Sequence, residues 1–190
     1  MFRVILFMLI SALMMAHQQS VAKQSVYADK TQQPIKALST EAIRQLRNGE
    51  GMGLALSAEL NQYPGPKHVI ELYDELTLSA DQLQLTQELF KQMQQAAKKL
   101  GVQLIRHERQ LEMLFQTGKI TAQQIREQVS LITGVQAELR SLHLITHIKQ
   151  REILSVEQQH RYQQLRGYLQ DSVQGGHQHE SHHPAHRHSH

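Results

Sequence analysis

The chain has 190 residues, of which 20 are Lys or Arg and 17 are Asp or Glu, so its net charge at pH 7 is only +3 with neutral histidines. No run of Lys and Arg is longer than two residues, which argues against a nucleic-acid-binding protein, because such proteins concentrate basic side chains on one surface. There is no cysteine, so apolar packing or oligomerisation must hold the fold together.

The N-terminal residues have the pattern of a secretory signal peptide. Arg3 precedes an apolar run over residues 4–16 that only Ser11 interrupts, and this run is shorter than the roughly 20 residues that a membrane-spanning helix needs. Small residues at the −3 and −1 positions predict cleavage after Ala22, so that residues 1–22 are removed, with Ala28 as the alternative site. We therefore expect export to the periplasm; an uncleaved membrane anchor is the alternative.

Residues 23–62 are predicted to form a flexible N-terminal region with short helices. A helix should begin at Thr40 and end near Arg47, and a mobile Gly-rich link over residues 49–53 should follow it. A second short apolar segment covers residues 54–60. The turn Pro64-Gly65-Pro66 then introduces a helix predicted over about residues 67–76, since proline suits the first turn of a helix.

Two long helices are predicted from apolar side chains that recur at three- and four-residue steps. The first follows Ser79, with the stripe Leu85, Leu89, Met93, Ala97, Leu100, Leu104, Leu111 and Leu114. The second follows Thr121, with the stripe Ile125, Val129, Ile132, Val135, Leu139, Leu142 and Thr146. Their short connection requires them to lie antiparallel. The predicted fold is all-α: a long antiparallel helical hairpin domain over residues 63–170, with shorter flanking helices.

One short phrase occurs twice, as Leu78-Ser-Ala-Asp-Gln82 and as Leu154-Ser-Val-Glu-Gln158. The serine can accept a hydrogen bond from the glutamine amide N–H while the glutamine side chain reaches back to the serine N–H, which is a capping box at a helix start. The acidic residue before each glutamine faces the positive end of the helix dipole. Each phrase therefore predicts the beginning of a helix.

The C-terminal residues 171–190 are predicted to be a disordered tail, because they have no apolar periodicity. Seven of its last fourteen residues are histidine: His177, His179, His182, His183, His186, His188 and His190. Neutral imidazoles at these spacings can bind Zn, Cu or Ni in several combinations, so the tail should capture metal loosely. A solubilising tail is the alternative.

Within the folded part, His143 and His147 are four residues apart on the second long helix. This spacing places both imidazoles on one helix face, where they can supply two ligands to one metal ion. They are expected to flank the apolar stripe, and two solvated histidines are the alternative. The methionines predict no copper-binding motif, because Met93 and Met113 fall on the stripe of the first long helix and Met52 lies in the Gly-rich link.

The two Leu-Ser-x-x-Gln phrases resemble the repeated Leu-Thr-x-x-Gln signature of the Spy/CpxP family of periplasmic chaperones and of the related periplasmic heavy-metal sensors. The resemblance covers roughly residues 63–169 and implies a homodimer with a cradle-like surface. It also implies that His143 and His147 correspond to the His-x-x-x-Met pair of the nickel and cobalt sensors, with His in place of Met. His68 could match the first histidine of a second pair in those sensors, but Leu72 occupies the position of its partner and cannot bind metal.

These features predict a periplasmic metal-binding protein that senses or buffers Zn, Cu, Ni or Co in the response to envelope or heavy-metal stress. The alternative is an ATP-independent periplasmic chaperone that holds unfolded envelope proteins on a dimeric helical cradle. A membrane signalling protein is a further possible partner of a sensor. No nucleophile, paired-carboxylate or zinc-protease motif is present in the sequence, so we expect no enzyme.

Overall fold

The computed structural model describes residues 25–169, which fall into two units, residues 25–39 and residues 40–169. The predicted signal peptide and the seven tail histidines lie outside these residues. The first unit contains a 3₁₀-helix, Ala28–Gln32. The second unit is entirely helical between its turns, and no strand occurs within residues 25–169, which confirms the all-α prediction.

The second unit has six α-helices. In chain order they are α1 (Thr40–Asn48), α2 (Leu56–Glu59), α3 (Pro66–Glu71), α4 (Ala80–Gln116), α5 (Ala122–Ile153) and α6 (Val156–Leu165). The helices α4 and α5 pack along each other as the predicted hairpin, while α1 and α3 pack on α4, and α2 packs on α5. No helix within residues 25–169 is long and apolar enough to cross a membrane.

The predicted helix starts are correct, because they depend on local chemistry. Ser79, Thr121 and Ser155 each accept a hydrogen bond from a backbone N–H three residues later, and the glutamine at that position bonds back to the cap residue. The end of α3 was predicted wrongly. The helix stops at Glu71 rather than near residue 76, and the turns that follow it lead to Thr77, whose φ is +48°.

The apolar stripes were predicted less well than the helix starts. In α4, Leu85 is 57% exposed and the neighbouring Thr86 is fully buried. Gln150 of α5 donates a hydrogen bond to the buried Thr86 hydroxyl at 3.1 Å, so a polar contact between the helices lies where the apolar pattern predicted a leucine contact. Met113, predicted to be a core residue, is also exposed.

Helix α1 crosses α4 at very short range, and Gly101 makes this possible. A Cβ atom at Gly101 would overlap the carbonyl oxygen of Leu46 and would lie 2.7 Å from its carbonyl carbon. Leu46 is the buried residue of α1. The missing side chain of Gly101 therefore lets the backbones of α1 and α4 touch.

The two repeated phrases meet in the structure. The Gln82 Nε2 donates to the Gln158 Oε1 at 2.8 Å, and the Gln158 Nε2 donates back to the Gln82 Oε1 at 3.0 Å. Each oxygen also accepts the N–H of its own cap, from Ser79 or Ser155. The remaining amide hydrogens go to the carbonyls of Ile153 (2.9 Å) and of Leu76 (3.3 Å). The starts of α4 and α6 are thus joined by one amide pair.

The leucines of the two phrases share an apolar cluster beside this pair. The cluster consists of Val69, Leu76, Leu154 and Tyr162, with Leu72, Leu78, Leu165 and Tyr168 packed against it. Burial of these side chains supplies most of the apolar stabilisation at this end of the hairpin. The repeat therefore builds the base of the domain, where α3, α4, α5 and α6 come together.

The opposite end of the hairpin is different. We call residues 106–131 the distal arm; among them only Gln128 is buried. The Gln128 Nε2 donates to the carbonyl oxygen of His107 on the other helix at 2.9 Å. Phe115, Val129 and Leu131 are exposed on this arm. The distal arm therefore has a polar contact between its helices but no apolar core among the described residues.

Candidate functional site

A cavity of about 810 Å³ lies near the base of the hairpin. It is formed by the Gly-rich link after α1, by α2, by the start of α3, and by the facing sides of α4 and α5. The side chains that line it include two methionines, two glutamates and three histidines: Met52, Met93, Glu50, Glu59, His68, His143 and His147. The cavity thus brings together all three histidines of the folded domain that the sequence proposed as metal ligands.

His143 lies on the buried face of α5, together with Leu139 and Thr146, and is only 4% exposed. The expectation that it flanks the stripe was therefore wrong. Its Nε2 atom is buried and has no hydrogen-bond partner. Burial, and secondarily the nearby His147, lowers the pKa of His143 below its usual 6.5, so the ring is neutral and Nε2 can offer a lone pair at neutral pH.

His147 follows one turn later and is held by the backbone of the turn before α3. Its Nδ1 lies 2.8 Å from the carbonyl oxygen of Tyr63. Because a carbonyl can only accept, Nδ1 carries a hydrogen and donates it, which leaves Nε2 as the ring nitrogen that could bind a metal ion. A Cβ atom at Gly65 would lie 3.1 Å from this Nε2 and 2.9 Å from Cε1, so glycine leaves room for the ring in this orientation.

His68, from α3, lines the same cavity. Its Nδ1 lies 2.7 Å from a carboxylate oxygen of Glu71, and this hydrogen bond is the main reason that the pKa of Glu71 is lowered. Metal-binding histidines commonly have one ring nitrogen held by a carbonyl or a carboxylate while the other binds the ion. His68 and His147 both show this arrangement.

Glu59 is the buried carboxylate of the cavity, and sequence reasoning did not identify it. Its Oε1 accepts hydrogen bonds from the hydroxyls of Tyr162 (2.5 Å) and Tyr168 (3.1 Å), and its Oε2 accepts one from the N–H of Gly65 (3.1 Å). The buried position and the bond to Glu59 raise the pKa of Tyr162. The only available signal was a lone acidic residue in the apolar segment 54–60.

The three histidines line one cavity but do not by themselves form a complete metal site. Within residues 25–169, no three His, Cys, Asp or Glu side chains are arranged to hold one metal ion. Leu72, which the sequence resemblance aligned with a second histidine, packs against the apolar cluster. The folded domain therefore offers a histidine pair one helical turn apart, with His68 nearby.

No protein-family model, curated protein or solved structure matches this chain.

Proposed function

We propose that this chain is an exported metal-binding protein that senses or buffers a divalent transition-metal ion (Zn, Cu, Ni or Co) in the periplasm. The observation that supports this most is the buried Nε2 of His143, which has no partner, in a cavity that His147 also lines. An imidazole nitrogen buried without a hydrogen bond costs free energy. Binding to a metal ion would recover that cost.

The histidine pair would supply two nitrogen ligands. Because the pKa of His143 is lowered, protons compete less with the metal at this nitrogen than at an ordinary histidine. Further ligands would come from other side chains that line the cavity, from water or from a neighbouring subunit. The seven tail histidines would act as a separate, looser store of metal.

Metal titration of the full chain tests this proposal. The tail is silenced by replacing its seven histidines with asparagine, which leaves the folded residues unchanged. We expect this protein to bind one equivalent of Zn, Ni, Co or Cu in equilibrium dialysis. Adding His143→Gln and His147→Gln should abolish binding, whereas His160→Gln, an exposed position on α6, should have no effect.

A different result would contradict the proposal. If the tail-silenced chain binds no metal while His143 and His147 are intact, the tail is the only chelator. Circular dichroism of each variant distinguishes loss of ligands from loss of fold, and glutamine at position 143 keeps a polar side chain of similar size in the buried site.

The chaperone is the second candidate, and the exposed apolar side chains of the long helices favour it. Phe115, Val129, Leu131, Ile145 and Ile148 are each at least 41% exposed. Large exposed apolar areas commonly mark interaction surfaces, so we propose that these side chains take part in a homodimer or hold unfolded envelope proteins. A negative result in the metal titration would make the chaperone the better interpretation.

A further inference from the structure

The donors around the cavity differ in how far they are already engaged. Two carboxylates line the cavity, Glu50 and Glu59. Glu50 is paired with Arg44. Both oxygens of Glu59 accept hydrogen bonds, and the Arg166 Nε lies 3.7 Å from its Oε1. Using this carboxylate as a metal ligand would disrupt contacts that join α2, the turn before α3 and the end of α6. The buried carboxylate therefore has a structural role.

Two thioethers line the same cavity. Met93 comes from α4 and is buried. Met52 comes from the Gly-rich link, is 40% exposed, and has a left-handed backbone with φ of +47°. Positive φ in a residue other than glycine is uncommon and costs free energy, and such residues cluster at functional sites.

The type of donor selects the metal. Zinc in proteins is bound by thiolate, imidazole and carboxylate, and methionine is not among its usual ligands. Thioethers are soft donors that select Cu(I), while imidazole also suits copper. A cavity that combines a histidine pair with two thioethers, and whose carboxylates are engaged by other side chains, is therefore chemically suited to Cu(I) more than to Zn, Ni or Co.

We propose that this cavity is a Cu(I) site. The histidine pair on α5 supplies nitrogen ligands, and the thioethers of Met52 and Met93 complete the ligand set from the Gly-rich link and from α4. This assignment rests on the proposed metal-binding function and specifies its metal. Only binding is involved, so the copper is supplied as Cu(I) and no electron is transferred.

The test compares Cu(I) and Zn affinities of the full, tail-silenced chain. Cu(I) is presented anaerobically as its bicinchoninate complex, and competition measures the affinity. Met52→Leu and Met93→Leu remove sulfur with little change in volume. Met113→Leu, an exposed methionine of the distal arm, is the matched control.

Mutation of a residue that only hydrogen-bonds to a metal ligand lowers metal affinity by about 10–100-fold. Loss of a thioether that binds the metal directly should therefore weaken Cu(I) binding by at least about tenfold. Zn affinity should stay unchanged, and Met113→Leu should alter neither metal. X-ray absorption of the copper-loaded protein should show sulfur neighbours that the double leucine variant lacks.

The results also separate this inference from the proposed function. If Cu(I) affinity is the same in all methionine variants but falls in His143→Gln, the histidines alone bind metal; the Cu(I) assignment is then overturned and the metal-binding function stands. If the tail-silenced chain binds neither metal, both are overturned.

Discussion

The substitution Gln82→Met tests whether the amide pair holds the base of the domain together. The Gln82 side chain makes one local bond, to the N–H of Ser79 at 3.1 Å. Its other bonds reach separate parts of the chain: two to Gln158 and one to the carbonyl of Ile153. Methionine keeps the length of the side chain and the helix propensity but can make none of these bonds.

Gln124 provides a control for the contribution of the capping box alone. Gln124 forms the same kind of capping box with Thr121, and its side chain bonds only within this box among the described residues. Gln124→Met removes only the part of the box that its side chain forms, because Thr121 still accepts the backbone N–H, so we expect it to lose about 0.5–1.5 kcal/mol. Each further bond contributes about 0.5–1.5 kcal/mol net, so the three bonds that only Gln82 makes add about 2–4 kcal/mol to its loss.

Equilibrium urea unfolding, followed by far-UV circular dichroism, measures the difference. Gln82→Met should lower the free energy of unfolding by about 2–4 kcal/mol more than Gln124→Met does. The double variant Gln82→Met/Gln158→Met should lose less than the sum of its single variants, because neither amide is then left without its partner. Equal losses for Gln82→Met and Gln124→Met, or strict additivity, would refute the view that the pair joins α4 to α6.

Two further predictions concern the helix crossing and the buried histidine. Gly101→Ala should destabilise the protein by about 1–3 kcal/mol, because the new methyl group overlaps the Leu46 backbone. Gly134→Ala on α5 should stabilise it by about 0.5–1 kcal/mol, because no atom lies within 4 Å of the new Cβ. Thermal unfolding of both variants measures these changes. The pKa of His143 is lowered in the folded, metal-free protein, so the unfolded chain binds a proton at this residue first as the pH falls. The free energy of unfolding should therefore be constant above about pH 6.5 and decrease from there toward the lowered pKa. Urea unfolding at a series of pH values should show this decrease, and His143→Gln should reduce it. If the free energy of unfolding falls equally steeply with pH in the variant, His143 is not its cause.

The sequence predicted the features that depend on neighbours along the chain. Capping boxes at Ser79, Thr121 and Ser155 are satisfied within four residues, so their chemistry is visible before the fold is known. Burial of a side chain, in contrast to a helix start, depends on residues from other helices. Thr86 and Gly101 became core positions because Gln150 and Leu46 from other helices reach them, and no periodic pattern in α4 alone contains that information.

The same distinction applies to the cavity. The spacing of His143 and His147 along one helix predicted that they share a face, and both line the cavity. Glu59, Met52 and Met93 come from three separate segments, and only the packing of those segments brings them to the histidines. A short apolar segment and a Gly-rich link gave no reason to expect that.

The distal arm has a consequence for how the molecule fluctuates. Backbone amides exchange hydrogen with water at rates set by the free energy of local opening, which is smallest where few apolar side chains are buried. Residues 106–131 have a single buried side chain, Gln128, so this segment should open and close many times while the base around Leu76 and Tyr162 stays shut. Solvent can therefore reach the inner faces of the arm while the histidine cavity stays closed. Backbone amides of the arm should exchange faster than those at the base of the same two helices.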